Sequence, residues 1–156
     1  MQNFIKKFIN LLIKKKIKYH DVSKFLNTND LFFDVGAHLG EKSKELIKNN
    51  INVVMIETQP ECLKQLNKLY SENKFVTIVP MGLGKSKQKM EMSINSKQTV
   101  ISTFDEHWKT GRFSDSKWDK KITVNITTLD ELIKKFGNPK YIKIDVEGFE
   151  HEVILG

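Results

Sequence analysis

Apolar residues fall along the chain in two kinds of run, short continuous stretches and stretches with the 3.6-residue spacing of a helix. The continuous or alternating stretches predict strands at 31–36, 51–57, 75–80, 89–94, 123–127 and 141–146. The helical stretches predict helices at 41–49, from Pro60 onward, at 129–136 and from Glu150 onward. Residues 95–121 are polar and mixed, and they receive no assignment.

Helix-end signals support two of these helices. Pro60 suits the first turn of a helix, where its missing N–H needs no partner. Thr128 and Glu131 have the spacing of a capping box, and Gly137 ends the same helix. Strands that alternate with helices and are almost wholly apolar predict an α/β fold, a doubly wound and mostly parallel sheet. Such sheets bind ligands at the carboxyl ends of their strands.

The loop after the first strand is the first candidate site. Its sequence is Asp34-Val-Gly-Ala-His-Leu-Gly40. Gly36 permits a tight turn, and Gly40 lets the next helix approach the strand. The free N–H groups at the start of that helix favour a negatively charged ligand group, such as the carboxylate of a ligand with a methionine moiety. Asp34 could then bind the ammonium of the same moiety.

Glu57 ends the second strand, 21 residues after Gly36. An acid at about this spacing accepts the hydroxyls of a ribose in nucleotide-binding crevices. A flavodoxin-like or dinucleotide-binding fold with another ligand is the alternative. The loop reads G-x-x-x-G, without the close glycines that a pyrophosphate requires, and this fits S-adenosylmethionine, which has no phosphate.

Charge changes the picture mainly at the N-terminus. The chain carries a formal charge of +7. Residues 1–30 hold seven lysines and two aspartates, or +5, whereas the remaining 126 residues hold 19 basic and 17 acidic groups, or +2. The body is almost balanced, so no specific nucleic-acid partner is expected. We divide the chain into a basic extension, 1–30, and a cofactor-binding domain, 31–156.

The spacing of apolar residues over Asn3–Tyr19 predicts an amphipathic helix in the extension. Its longest uncharged run has six residues, Phe8–Ile13, too short to span a bilayer or to form the core of an export signal. It either packs on the domain or makes weak contact with a membrane surface. The single cysteine, Cys62, cannot form an internal disulfide, and this favours a cytoplasmic location.

Four blocks of sequence, in order, resemble the FkbM-type methyltransferases, and the resemblance covers residues 31–156. They are Phe33-Asp-Val-Gly-Ala-His-Leu-Gly-Glu-Lys-Ser43, Ile56-Glu-Thr-Gln-Pro60, Thr128-Leu-Asp-Glu-Leu132 and Ile142-Lys-Ile-Asp-Val-Glu-Gly-Phe-Glu150. The resemblance implies a Rossmann-like class I methyltransferase fold and methyl transfer from S-adenosylmethionine, commonly to a hydroxyl of a sugar or secondary metabolite. His38 departs from the Asn more usual in the family, and we interpret it as another hydrogen-bonding residue facing the ligand.

Three residues are candidates for the chemistry. Asp145 and Glu147 lie after the strand expected beside the first one, where either could orient or deprotonate an acceptor hydroxyl. Their alternative role is to cap the helix after Gly148. His107 is a further candidate base, or a solvated loop histidine. The stretch Met81-Gly-Leu-Gly84, which contains Gly82, resembles the segment that edges the adenine pocket in the family. The alternative is that this stretch is simply a turn.

The resemblance also sets expectations about completeness and partners. It implies a seven-stranded sheet, of which four main strands can be counted, so we expect the domain to be truncated after the fourth strand. The isolated chain is then expected to oligomerise or to need a missing C-terminal segment. The predicted acceptor is a small molecule or glycan. The alternatives are a nucleic-acid-directed methyltransferase or binding module, and an inactive or partner-completed cofactor-binding fragment.

Overall fold

The computed structural model describes residues 19–97, 102–104 and 114–156. Eleven elements follow a short 3-10 helix, Tyr19–Phe25. The strands are β1 (Leu31–Val35), β2 (Asn52–Ile56), β3 (Val76–Val79), β4 (Gly82–Leu83), β5 (Gln88–Ile94), β6 (Lys120–Thr127) and β7 (Tyr141–Ile144). The helices are α1 (Lys44–Lys48), α2 (Pro60–Tyr70), α3 (Leu129–Phe136) and α4 (Glu150–Ile154).

Four strands form the main sheet in the order β3-β2-β1-β7. Every pairing in it is parallel, and Phe33 at the centre of β1 lies beside Val54 of β2 and Ile142 of β7. These are the four main strands predicted from the sequence, each ending a residue or two earlier than predicted. Within the described residues β7 is hydrogen-bonded to β1 along one side and is an edge of this sheet.

Helices cover both faces of the main sheet. Side chains that follow one another in a strand point to opposite faces, so Phe32 and Phe33 enter different cores. Phe32 packs with residues of α1 and α2, among them Leu46 and Leu66. Phe33 packs with Leu132 of α3 and with Val153 of α4. The doubly wound α/β class predicted from the alternating pattern is thereby confirmed.

A smaller sheet has the order β4-β6-β5. β5 pairs antiparallel with β6, and β4 pairs parallel with β6. The predicted arm 89–94 is β5, and the predicted strand 123–127 is the second half of β6, which begins earlier at Lys120. Met92 and Ile126 are buried between this sheet and the rest of the domain.

One predicted helix boundary is wrong. The helix expected at 41–49 begins only at Lys44, because residues 41–43 form turns. Val22 and Leu26, within the predicted extension 1–30, are buried in the same core as Phe32. The amphipathic helix predicted for 3–19 lies almost wholly outside the described residues. No helix within the described ranges has the length and apolar character needed to cross a membrane.

Candidate cofactor site

A cavity opens at the carboxyl ends of β1, β2 and β7, where the parallel sheet was expected to bind its ligand. Its volume is about 910 Å³, including the part open to solvent. Six of the residues predicted to form the site line this cavity. They are Gly36, His38, Glu57, Gly82, Asp145 and Glu147.

The turn after β1 depends on Gly36. Its φ is +74°, a conformation that residues with a Cβ rarely adopt. A Cβ at this position would also overlap the backbone oxygen of Asp145. The N–H groups of Gly36 and Ala37 both donate to the carbonyl of Ile56, at 3.0 and 3.1 Å. Glycine therefore allows the end of β1 to contact the ends of both neighbouring strands.

Glu57 connects the two loops that face each other across the ends of β1 and β2. Its side chain is buried, with 5% of the residue surface exposed. Oε2 accepts the N–H of His38 at 2.7 Å. Oε1 accepts the N–H groups of Thr58 and Gln59 at 2.7 and 2.8 Å. The carboxylate thus lies at the cavity wall in an orientation set by three backbone donors.

Asp34 lies behind the cavity wall. It is fully buried and is absent from the residues that line the cavity. Its Oδ2 accepts the hydroxyl of Ser43 at 2.7 Å, and its Oδ1 lies 3.1 Å from Nζ of Lys143. Both oxygens of Asp34 therefore face protein groups in this structure, and its contact with a ligand ammonium stays a prediction.

Lys143 is a site residue that the sequence did not single out. It lies in β7 and is buried, with 6% of its side chain exposed, yet it contributes to the cavity wall. Its ammonium donates to the carbonyls of Gly36 and Val35, at 2.7 and 3.2 Å. A lysine almost never lies in such a buried position without a partner. The alternating pattern Ile142-Lys143-Ile144 is typical of a strand whose lysine faces solvent, so it did not mark Lys143 as a site residue.

The loop between β7 and α4 carries the two predicted catalytic acids. Asp145 is half exposed, and its Oδ2 lies 3.6 Å from Nζ of Lys143. Glu147 has a φ of +53°, and its carbonyl accepts the hydroxyl of Thr103 at 2.7 Å. Both residues line the same cavity, so the structure brings the two acids together with Glu57.

Glu150 orders this loop, and it was also missed. One of its oxygens accepts the N–H of Val146 at 3.0 Å, and the other accepts the N–H of Gly148 at 3.1 Å. The N-cap position of α4 is Phe149, which makes no side-chain capping bond. Glu150 therefore supplies a carboxylate that binds N–H groups of the loop before α4. The final Glu of the E-G-x-E pattern was the available signal.

The wall formed by the small sheet is partly aromatic. Gly82 of β4 is buried, and a Cβ there would come within 2.5 Å of Cδ1 of Ile126 and 3.3 Å of Cζ of Phe104. The rings of Phe104 and Phe149 are tilted against each other with centroids 5.4 Å apart. Both rings line the cavity. The missing side chain of Gly82 therefore makes room for Ile126 and, next to it, for the ring of Phe104.

One other predicted residue among the described ones, Gly40, does not line the cavity. Gly40, with a φ of +74°, packs against α2, where an added Cβ would lie 3.1 Å from atoms of Leu66 and Tyr70. It contributes close packing, as predicted, but to a neighbouring helix. Ser43, at the N-cap of α1, is buried against Asp34, and no residue of α1 lines the cavity. His107 lies outside the described residues.

Comparison with solved structures places the fold among methyltransferases. A methyltransferase FkbM from Methylobacillus flagellatus KT superposes with a TM-score of 0.56 and 21% sequence identity, over 83% of this chain and 29% of that one. The present chain therefore spans less than a third of that protein. A precorrin-6y C5,15-methyltransferase from Geobacter metallireducens GS-15 matches at 21% identity with a TM-score of 0.35, over 42% of this chain and 41% of that one.

Sequence comparison supplies the family. A search of the curated proteins gives no significant match. The family model described as the methyltransferase FkbM domain matches residues 34–156. That range contains the Gly36 turn, Glu57 and the loop with Asp145 and Glu147, which form the cavity. The chain belongs to the FkbM methyltransferase domain family.

Proposed function

We propose that this domain binds S-adenosylmethionine in the cavity, as part of a methyltransferase whose acceptor is a hydroxyl of a saccharide or secondary metabolite. The observation that carries the proposal is the meeting of Glu57 with Asp145 and Glu147 in one cavity at the strand ends. The family membership supports the reaction class. The choice of a hydroxyl acceptor follows from the acids, because an alcohol is a weak nucleophile that benefits from a base.

The donors and acceptors at the wall fit an adenosine group. A carboxylate has about four acceptor sites, and three of those on Glu57 are taken by backbone N–H groups. About one site, on Oε2, is left for a ribose hydroxyl. Glu57 can therefore accept one hydroxyl without losing a protein bond, whereas accepting two would displace one. The glycine strand β4 and the apolar rings beside it offer a flat surface for a base.

The methionine end of the cofactor belongs at the turn after β1. Gly36, His38 and Lys42 line this part of the cavity. Asp34 contributes from behind the wall through its ion pair with Lys143, so it influences the local charge there. His38 offers ring nitrogens at the cavity, while its N–H is already held by Glu57.

The chemistry required of the protein is alignment and proton removal. Bound S-adenosylmethionine would supply an electrophilic methyl group. The cavity walls hold the acceptor in line and exclude water, which supplies most of the advantage in such displacements. Asp145, half exposed at the wall, is placed to accept the proton that the acceptor hydroxyl loses, and Glu147 is the second candidate for that role.

Cofactor binding can be tested without an acceptor. Isothermal titration of the 156-residue chain with S-adenosylhomocysteine should show one site. Glu57→Gln should weaken it by about two- to tenfold, which corresponds to the loss of an ordinary hydrogen bond. Glu72→Gln, an exposed acid outside the cavity, is the matched control and should leave affinity unchanged. Equal affinities for all three chains would refute the placement of the ribose at Glu57.

The acceptor class requires a turnover measurement. Formation of S-adenosylhomocysteine is followed with a panel of saccharides and hydroxylated metabolites. For an active acceptor, Asp145→Asn should lower kcat much more than it changes cofactor affinity. Equal losses in binding and turnover, together with a lower melting temperature, would assign Asp145 a structural role. Methyl transfer to nucleic acid, and none to the panel, would refute the proposed acceptor.

A further inference from the structure

The proposed reaction assigns no task to the buried cation at the cavity floor. Lys143 is held by four oxygen atoms, three from β1 and the turn after it and one from the loop after β7. Two are the carbonyls of Val35 and Gly36, which accept from its ammonium, and the third is Oδ1 of Asp34 at 3.1 Å. The fourth is Oδ2 of Asp145 at 3.6 Å. The first three contacts fix the ammonium in place, and the fourth is directed to the cavity.

The fourth contact sets the position of a reactive group. Asp34 is fully buried and also bound to Ser43, so it can anchor the cation but does not line the cavity. Asp145 is half exposed, and the ion pair with Lys143 is the contact recorded for its carboxylate among the described residues. At 3.6 Å this contact is an ion pair without a hydrogen bond, and its attraction favours carboxylate orientations that lie near Lys143.

We propose that Lys143 is a positioning residue, which uses its anchorage on Asp34 and the Gly36 turn to hold the Asp145 carboxylate at the cavity wall, beside the cationic sulfur of the cofactor. This inference rests on the proposed function. Lys143 itself touches neither the methyl group nor the acceptor. It acts through Asp145, and its loss should therefore matter only while Asp145 is present.

A pair of ligands separates this role from general damage to the cavity. S-adenosylmethionine and S-adenosylhomocysteine share the adenosine and amino-acid groups and differ by one methyl group and one positive charge at sulfur. The ratio of their dissociation constants, homocysteine form over methionine form, therefore reports on the negative charge beside the sulfur. Distortion elsewhere in the cavity affects both ligands and cancels in the ratio.

The choice of variants depends on the buried ion pair between Asp34 and Lys143. Lys143→Met alone leaves Asp34 buried without a counter-charge, which is strongly destabilising. The double variant Asp34→Asn/Lys143→Met removes both charges of the pair and leaves the net charge unchanged. Asp145→Asn removes the positioned carboxylate, and a triple variant combines all three changes. Lys140→Met, an exposed lysine just before β7, is the control for loss of a lysine.

Titrations of the 156-residue chain with the two ligands should give a clear pattern. Asp145→Asn and the double variant should each lower the ratio by about three- to tenfold, as expected for loss of one polar interaction. The triple variant should be no lower than the worse of the two, because residues that act through each other are not additive. Lys140→Met should keep the wild-type ratio.

Other results would overturn the inference. A wild-type ratio in the double variant, or losses that add in the triple variant, would show that Lys143 does not act through Asp145. An unchanged ratio in Asp145→Asn would remove the group through which it is proposed to act. If wild type binds both ligands and these patterns fail, the inference alone is wrong. If wild type binds neither, the proposed function fails and the inference falls with it.

Discussion

Replacing Gly36 by alanine should damage the domain more than an otherwise similar replacement of Gly137. Both glycines have positive φ, +74° and +98°. At Gly137 an added Cβ would meet only Cδ2 of Leu31, at 3.9 Å, so the expected cost is backbone strain of about 1–3 kcal/mol. At Gly36 the same atom would overlap the backbone oxygen of Asp145 and lie 3.4 Å from Cγ1 of Val146.

The overlap at Gly36 is with backbone, and no side-chain rotation can relieve it. Overpacking of this kind costs about another 1–3 kcal/mol, so the total for Gly36→Ala is about 2–6 kcal/mol. Because domains are stable by only about 5–15 kcal/mol, this is a large fraction of the whole. The strain should also separate β1 from the loop that carries Asp145, and cofactor affinity should fall.

Urea unfolding of the two variants measures the difference between their free energies of unfolding. Gly137→Ala should have a modestly lower midpoint and wild-type affinity for S-adenosylhomocysteine. Gly36→Ala should have a clearly lower midpoint, or fail to fold, and should lose affinity in whatever fraction is folded. If the two variants unfold at the same urea concentration and bind equally, the close contact between Gly36 and Asp145 does not exist in solution.

Three further outcomes are expected. Glu150→Ala leaves the N–H groups of the 145–149 loop without their acceptor, so amide hydrogen exchange there should accelerate in mass spectrometry; unchanged exchange would mean that Glu150 does not order the loop. The hydrogen bond and charge of Lys87 hold the pKa of Glu131 below its usual 4.5, so the stability from this pair is present above pH 4.5 and is lost as pH falls through the lowered pKa. Lys87→Met should flatten that part of the stability curve, and an identical acid dependence would contradict it. Deleting residues 2–19 should abolish binding to anionic vesicles, measured by co-sedimentation, while cofactor affinity stays unchanged; surviving vesicle binding would indicate a basic site in the body.

The sequence was sufficient for the elements whose signals are local. The N-cap half of the capping box at Thr128 forms, with the threonine oxygen accepting the N–H of Glu131 at 3.2 Å, while the Glu131 carboxylate binds Lys87. Pro60 is the first residue of α2, and Cys62 is buried within that helix, as expected of a small apolar residue. Apolar runs located the strands because parallel central strands are buried on both faces.

The sequence was insufficient where a residue's role depends on distant partners. Lys143 is separated by more than 100 positions from the carbonyls that bind it. Helical spacing placed the start of α1 at Glu41, but Ser43 instead turns inward to bond with Asp34, nine residues earlier in the chain. Glu150 reads as an ordinary first-turn acid of a helix, and only the folded loop shows that it binds N–H groups N-terminal to that helix.

The bonds around Glu57 have a consequence for the speed and entropy of ligand capture. Three backbone donors hold the carboxylate before any ligand arrives. Immobilising a flexible side chain on binding usually costs about 0.5–1.5 kcal/mol, and here folding has already met that cost. A ribose hydroxyl would meet a rigid acceptor that needs no rearrangement. Conversely, a change at His38 or Gln59 that loosens either loop would leave the carboxylate mobile. The entropic cost of ligand binding should then be larger.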